Sequence, residues 1–291
     1  QRQMCIRDSI SADAWSLIIF AQEMFQLYEA YHHNTASLLP NLPVQYVEYA
    51  HWERAYFQGV VLEQHLVYWR DQLADLPILS LPTDRARPAL QSTDGATLSL
   101  TPDTAMLEAL RQFSTQSDVT LFTTLMTAFQ VLLYRYTNQV DFAVGMPVAN
   151  RHQAEVEGLV GTFINSLVIR ANLSGNPDFE TVLQRTHKTT LEAQAHQHLP
   201  LETLITALQP ERDVSHSPFF QVICNGINIP IPIFSLSDLE WDYLDIERES
   251  AQVDLSLYIV DTPDITRFIF EYDTDLFDAC LLYTSDAADE Y

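Results

Sequence analysis

Glycine is scarce in this chain, with seven in 291 residues, and none falls in a G-x-G-x-x-G or G-x-x-x-x-G-K pattern. Without such a loop the backbone cannot curl closely around a phosphate, so nucleotide-dependent chemistry is disfavoured. Cysteine is rarer still, with three residues, two of them (Cys5 and Cys280) close to the termini. If the two terminal segments are foreign to the domain, Cys224 alone remains, so no internal disulfide is expected, which fits a reducing compartment. Positive charge is short as well: 15 Lys and Arg stand against 39 Asp and Glu, a formal net charge of -24. Nucleic acid and anionic lipid carry dense negative charge of their own and are therefore poor partners. No apolar run approaches the roughly 18 residues that a membrane span needs, and the N-terminus lacks the apolar centre of a signal peptide. We expect a cytoplasmic protein.

Hydrophobic residues make up 47% of the chain, enough for one large or two modest cores. Ala14 to Tyr31 carries apolar residues at helical spacing (Trp15, Ile18, Ile19, Phe25, Leu27, Tyr28), opened by Asp13 as a cap. A second helix is predicted over Val61 to Leu73, then an extended connector punctuated by Pro77, Pro82 and Pro88, which fixes a domain boundary. Helices are predicted over Pro102 to Gln116, Leu121 to Tyr136 and Phe179 to Gln194. Strands are predicted near Thr97 to Leu100, Asp141 to Pro147, Leu167 to Ala171, Phe219 to Cys224, Val253 to Val260 and Thr266 to Tyr272. Interspersed helices and strands without a repeating period indicate an α/β sandwich.

Local chemistry says little. His196 and His198 lie beside Glu202, and His32 adjoins His33, but neither set has metal-ligand spacing with a third clear ligand, so packing or surface roles are expected. No Gly-x-Ser-x-Gly elbow exists, and Cys224 has no local signature of a nucleophile.

The two termini differ in origin from the rest. Gln1 to Ser9 and Cys280 to Ala287 can be read as opposite-strand translations of one DNA segment, the pattern left by a sequencing adapter at both edges of an assembled read. We expect residues 1–9 and most of 280–291 to be foreign to the domain.

Between these ends, several short motifs occur in order. Ile10-Ser-Ala-Asp13-Ala14-Trp15-Ser16 resembles the tail of a His-His-x-x-x-Asp-Gly-x-Ser motif, with Ala14 in place of glycine. Tyr46-Val-Glu-Tyr49-Ala50-His-Trp52, Leu81-Pro82-Thr83-Asp84-Arg85 and Val160-Gly161-Thr162-Phe163-Ile164-Asn165-Ser166, with Arg170 after it, come next. His196-Gln197-His198-Leu199-Pro200-Leu201-Glu202, then Arg212-Asp213-Val214-Ser215 and Glu271-Tyr272-Asp-Thr-Asp275-Leu276-Phe277-Asp278, complete the set. Together they resemble the condensation domains of nonribosomal peptide synthetases, over about Ile10 to Ala279.

That resemblance implies a chloramphenicol acetyltransferase-like fold of two lobes around a tunnel. Residues 10–94 are expected to be the remnant of an incomplete first lobe with its connector, and residues 95–279 a nearly complete second lobe. It implies donor and acceptor carrier-protein partners bearing phosphopantetheine arms, a neighbouring adenylation domain, no cofactor held by the chain itself, and amide formation from a thioester and an amine. The motif's two histidines fall at positions eight and nine, occupied here by Asp8 and Ser9, so the chain as written is expected to be inactive. Asp13 is expected to be structural; relatives pair it with an upstream arginine that has no counterpart here, so it should lack its partner. Trp15, Ser16, Gly161 and Asn165 are the candidates for lining the tunnel, although Trp15 lies on an apolar helical stripe and Asn165 serves equally well to satisfy backbone groups at a strand entrance. Tyr49 and Trp52 are expected in the lobe core, and Arg212 with Asp213 as a loop ion pair. Epimerisation or heterocyclisation domains of the same fold, and a non-catalytic recruiting module, are the alternatives.

Overall fold

The fold is that of a computed structural model, which describes residues 11–210, 215–227, 249–262 and 265–279. The helices are α1 (Ala14–His32), α2 (Tyr46–Tyr56), α3 (Gly59–Gln72), α4 (Thr104–Gln116), α5 (Leu121–Thr137), the single turn α6 (Ala154–Glu157), α7 (Phe179–Ala195) and α8 (Leu201–Leu208). The strands are β1 (Gly95–Leu100), β2 (Asp141–Val148), β3 (Asn165–Asn172), β4 (Val222–Ile227), β5 (Leu255–Asp261) and β6 (Thr266–Asp273).

The chain groups into two units. Unit 1 comprises residues up to His65 together with Val148–Asn165, and unit 2 comprises Leu66–Pro147 with most of the chain from Ser166 onward. Val148–Asn165 thus joins the early helices although it stands far along the sequence.

Unit 2 holds a six-stranded sheet in the order β1-β6-β5-β4-β2-β3. β1 and β6 are antiparallel, as are β5 and β6, whereas β4 runs parallel to both β5 and β2. The apolar composition of β2 and β4 reflects this central position: Phe142, Ala143, Val144, Met146, Val222 and Cys224 are all buried. α5 is the central helix of this unit, packed on α4, α7 and β4. Its start is set by the Thr120 hydroxyl, which accepts from Thr123 N–H, and its end by Asn138 in the left-handed region at φ 56°. Met126, Phe129 and Leu133, at helical spacing, place its apolar face in the core.

The proline-rich connector is fastened within unit 2 by its arginines. Arg87 forks onto Asp254 and donates to Ser215 O; Arg85 donates to Thr274 O and pairs with Asp278. Arg170 forks onto Asp141 at 2.7 and 2.6 Å and also donates to the carbonyls of Gln72 and Ala74, closing the C-terminal end of α3.

Most element predictions agree with the structure to within a few residues, and three differences have physical causes. The strand predicted from Phe219 begins only at Val222, because Phe219 adopts φ 67°, which a strand cannot contain. That turn places the Phe220 ring against Gly145 of β2, where a Cβ would meet ring carbon at 2.6 Å. α2 has no counterpart among the predicted helices; its aromatic residues Tyr46, Tyr49, Trp52 and Tyr56 hide the helical period among polar neighbours, and Gln45 N–H donating to Glu48 at 2.7 Å starts it. α8 likewise goes unpredicted, being a short helix behind Pro200.

Candidate functional site

The motif residues of unit 1 converge on Asp13. Its carboxylate caps α1 by accepting from Ser16 N–H at 2.8 Å, as the sequence implied. The other oxygen accepts from Phe163 N–H at 3.0 Å, and Asp13 N–H in turn donates to Gly161 O at 3.3 Å. The Gly161–Phe163 backbone therefore holds the first turn of α1 from two sides.

An arginine completes the arrangement, and here one expectation is corrected. Asp13 does not lack a partner: Arg151, 138 residues downstream, places Nη2 at 3.1 Å from Oδ1 and 3.4 Å from Oδ2. The other terminal nitrogen, Nη1, donates to Val156 O at 2.9 Å and Leu159 O at 2.7 Å, so the guanidinium also organises the loop around α6. Its plane lies 4.0 Å over the Phe163 ring, a cation–π contact. The reason Arg151 can serve is the turn before it, where Asn150 takes φ 52° and directs the chain back toward α1. No local pattern could have revealed it, since the pair is joined only by the return of the chain after β2.

Ser16 is fully buried and lies at the centre of the network. Its hydroxyl accepts from Gly161 N–H at 3.0 Å and Arg151 Nη2 at 2.8 Å. Its single proton has two acceptors in reach, Asp13 Oδ1 and Gly161 O, each at 2.7 Å. Burial alone would raise the Asp13 pKa; the Ser16 hydroxyl, the Phe163 and Ser16 amides and the Arg151 charge outweigh it and hold the carboxyl below its ordinary value. Burial lowers that of Arg151, with the Asp13 charge opposing; guanidinium starts so high that the group stays charged.

Trp15 is half-buried and donates its indole N–H to Glu157 O at 3.2 Å. Ala14 is exposed at the first position of α1, so its methyl group is accommodated without displacing a neighbour. Asn165 is buried at the first residue of β3, two positions beyond Phe163. Tyr49 packs on the cluster of Val156, Leu159 and Phe163, but Trp52 is 42% exposed and does not belong to a core. Positions Asp8 and Ser9, and the Arg212 and Asp213 pair, lie outside the described residues.

Other candidate groups resolve into packing. His196 stacks on Tyr68 with ring centroids 4.2 Å apart and 8° between planes, and burial lowers its pKa. Cys224 is buried in β4, where burial pushes the thiol far up and keeps the thiolate from forming. Among the described residues, no group of three or more His, Cys, Asp or Glu is placed to hold a metal ion, and no helix is long and apolar enough to cross a membrane.

The mixed α/β architecture and its six-stranded sheet are of the chloramphenicol acetyltransferase-like class. The X-domain from teicoplanin biosynthesis superimposes with a TM-score of 0.87 at 24% identity, over 94% of this chain and 64% of that one. The first condensation domain of the calcium-dependent antibiotic synthetase gives 0.74 at 19% identity, over 96% and 60%. In sequence, the Condensation domain family matches residues 10–282, and the chain belongs to that family. A linear gramicidin synthase protein of Brevibacillus parabrevis is 46% identical over 272 residues, which are 92% of this chain and 4% of that protein. The chain thus spans only a small part of the length of the synthetases it matches.

Proposed function

We propose that this chain is a condensation-domain segment of a nonribosomal peptide synthetase, whose parent reaction joins a carrier-bound acyl or peptidyl thioester to a carrier-bound amine. The amine nitrogen attacks the thioester carbonyl, the C–S bond breaks, sulfur leaves as a thiol and the nitrogen loses a proton. Such a reaction needs chiefly that both reactants be held together, because confinement turns a bimolecular step into a nearly unimolecular one. Phosphopantetheine arms on donor and acceptor carrier domains would deliver the reactants in the cytoplasm, next to an adenylation domain. Residues 10–94 would belong to the first lobe with its connector and residues 95–279 to the second.

The observation that carries this reading is the family match over residues 10–282; immediately before it, Asp8 and Ser9 stand at the two positions where the motif register places the histidines. A group able to take a proton from the amine is therefore missing from its place, and the chain as written would not catalyse. Asp13 serves structure, since both oxygens of its carboxylate are engaged. Of the tunnel candidates, Ser16 and Gly161 belong to the same network and Trp15 donates to Glu157 O, so a role for Trp15 toward substrate would fall to the face of its ring, and Asn165 stays a candidate by its place at the start of β3. Without those histidines, a carrier-recruiting module is the second reading; the X-domain of teicoplanin biosynthesis, which shares the fold, forms a complex with OxyB.

Replacing Asp8 and Ser9 together by histidine tests both. With an aminoacyl pantetheine thioester and a pantetheine-bound amine, amide formation above the buffer rate by the double variant and not by the parent chain supports the condensation reading. Equal background rates for both, with a carrier domain still retained on the immobilised chain, favour recruitment.

A further inference from the structure

We propose that Tyr46, with Gly161 as its steric counterpart, is a positioning residue for the Asp13 turn. The inference rests on the condensation reading for its functional meaning, because the turn directly follows the positions where the family's histidines lie.

Tyr46 grips three successive residues of one loop. A Cβ built on Gly161 would fall 2.2, 2.5 and 2.7 Å from Cδ2, Cε2 and Cγ of the Tyr46 ring. These atoms belong to a rigid ring close to its backbone, not to the far end of a mobile chain, so only glycine leaves room for the ring here. The Tyr46 hydroxyl donates to Thr162 O at 2.9 Å. Its ring edge meets Phe163 with centroids 5.2 Å apart and 79° between planes, a favourable edge-to-face geometry.

The same loop presents its backbone to Asp13 and Ser16. Gly161 O accepts from Asp13 N–H, Gly161 N–H donates to Ser16 Oγ, and Phe163 N–H donates to Asp13 Oδ2. Phe163 also carries the Arg151 guanidinium on its face. One side chain thus fixes a loop from the side of α2 while that loop fixes the entry into α1. Both groups belong to motifs that are more than a hundred residues apart, Tyr46 in Tyr-x-x-Tyr-Ala-x-Trp and Gly161 in Gly-x-Phe-x-Asn. The pairing gives a physical reason for their occurrence together: the ring and the missing Cβ are two halves of one contact.

The test reads Asp13 itself, in this chain, by carboxyl carbon NMR as a function of pH, with Asp13→Asn identifying the signal and urea denaturation run in parallel. Among the described residues, the charged or titratable groups that act on Asp13 are Arg151 and the Tyr46 phenol, whose pKa burial raises still further above the range of an acid titration. Tyr46→Phe removes only the bond to Thr162; it should move the Asp13 midpoint upward by roughly half a pH unit, the size of one weakened hydrogen bond to a carboxylate, with little change in the urea midpoint. Gly161→Ala should move it further, and Tyr46→Ala in that background should recover part of the change because the clash is gone. An unmoved Asp13 titration in Tyr46→Phe, or effects of Gly161→Ala and Tyr46→Ala that simply add, would overturn the proposal. If Gly161→Ala does not fold, Tyr46→Phe alone decides. None of these readouts uses a thioester or an amine, so failure of the condensation reading leaves them unchanged.

Discussion

At Asp13 a carboxylate with 4% side-chain exposure meets a guanidinium with 1%, and the balance of such a pair is asymmetric. Forming it offsets a large desolvation cost, whereas removing one member strands the other charge in a dry site. Arg151→Met should therefore cost about 3–5 kcal/mol in urea denaturation, far more than loss of an exposed ion pair. A cost under about 1 kcal/mol would show that water reaches the site. The pH dependence comes from the direction of the Asp13 shift. Its folded pKa lies below the unfolded value, so its contribution is fully present above about pH 4 and is lost as pH falls through the folded pKa. The stability advantage of the native chain over Asp13→Asn should accordingly shrink on acidification below that point. An advantage that is constant with pH would refute the assignment.

Among the elements, α1 shows how a period can be legible while its use is not. The sequence predicts an amphipathic helix over Ala14 to Tyr31, and α1 spans Ala14–His32, but only Ser16 and Ile19 of it are buried. Leu17, Phe20 and Met24 are exposed at 57%, 58% and 48% along one face of the helix, at steps of three and four residues, leaving an open apolar stripe. Phe20→Lys with Met24→Lys should leave thermal stability within roughly 0.5 kcal/mol per site and reduce self-association in sedimentation velocity. A pronounced loss of stability would mean the stripe is covered in solution. β4 makes the complementary point. Its apolar run is legible in the sequence but its start is not, because the φ of Phe219 answers to the fit of Phe220 against Gly145, which periodicity does not encode.

For the whole molecule, the connector after α3 is where chain order and three-dimensional grouping part. Prolines mark residues 77–88 as a boundary, yet Arg85 and Arg87 tie this stretch to the last strands of unit 2. Asp254 has 2% side-chain exposure beneath Arg87, so Arg87→Met should cost about 3–5 kcal/mol, whereas Arg85→Met, at 46% exposure, should cost under about 1 kcal/mol. Similar losses for both in chemical denaturation would mean that burial does not set the value of these pairs.

The sequence by itself determined the class of elements, most of their limits, the exclusion of nucleotide loops and metal-ligand spacing, and a family resemblance that the match over residues 10–282 bears out. These are properties of local pattern: a helix or strand shows its period within a dozen or so residues, and a motif is a fixed spacing. Tertiary structure alone decided that Arg151 supplies the charge opposite Asp13, that Tyr46 closes on Gly161, and that Trp52 stays exposed. Asp13 and Arg151 are 138 residues apart, and Tyr46 lies 116 from the carbonyl it binds. Contacts at such separations depend on how loops return after the strands are paired, and no single stretch of sequence carries that information.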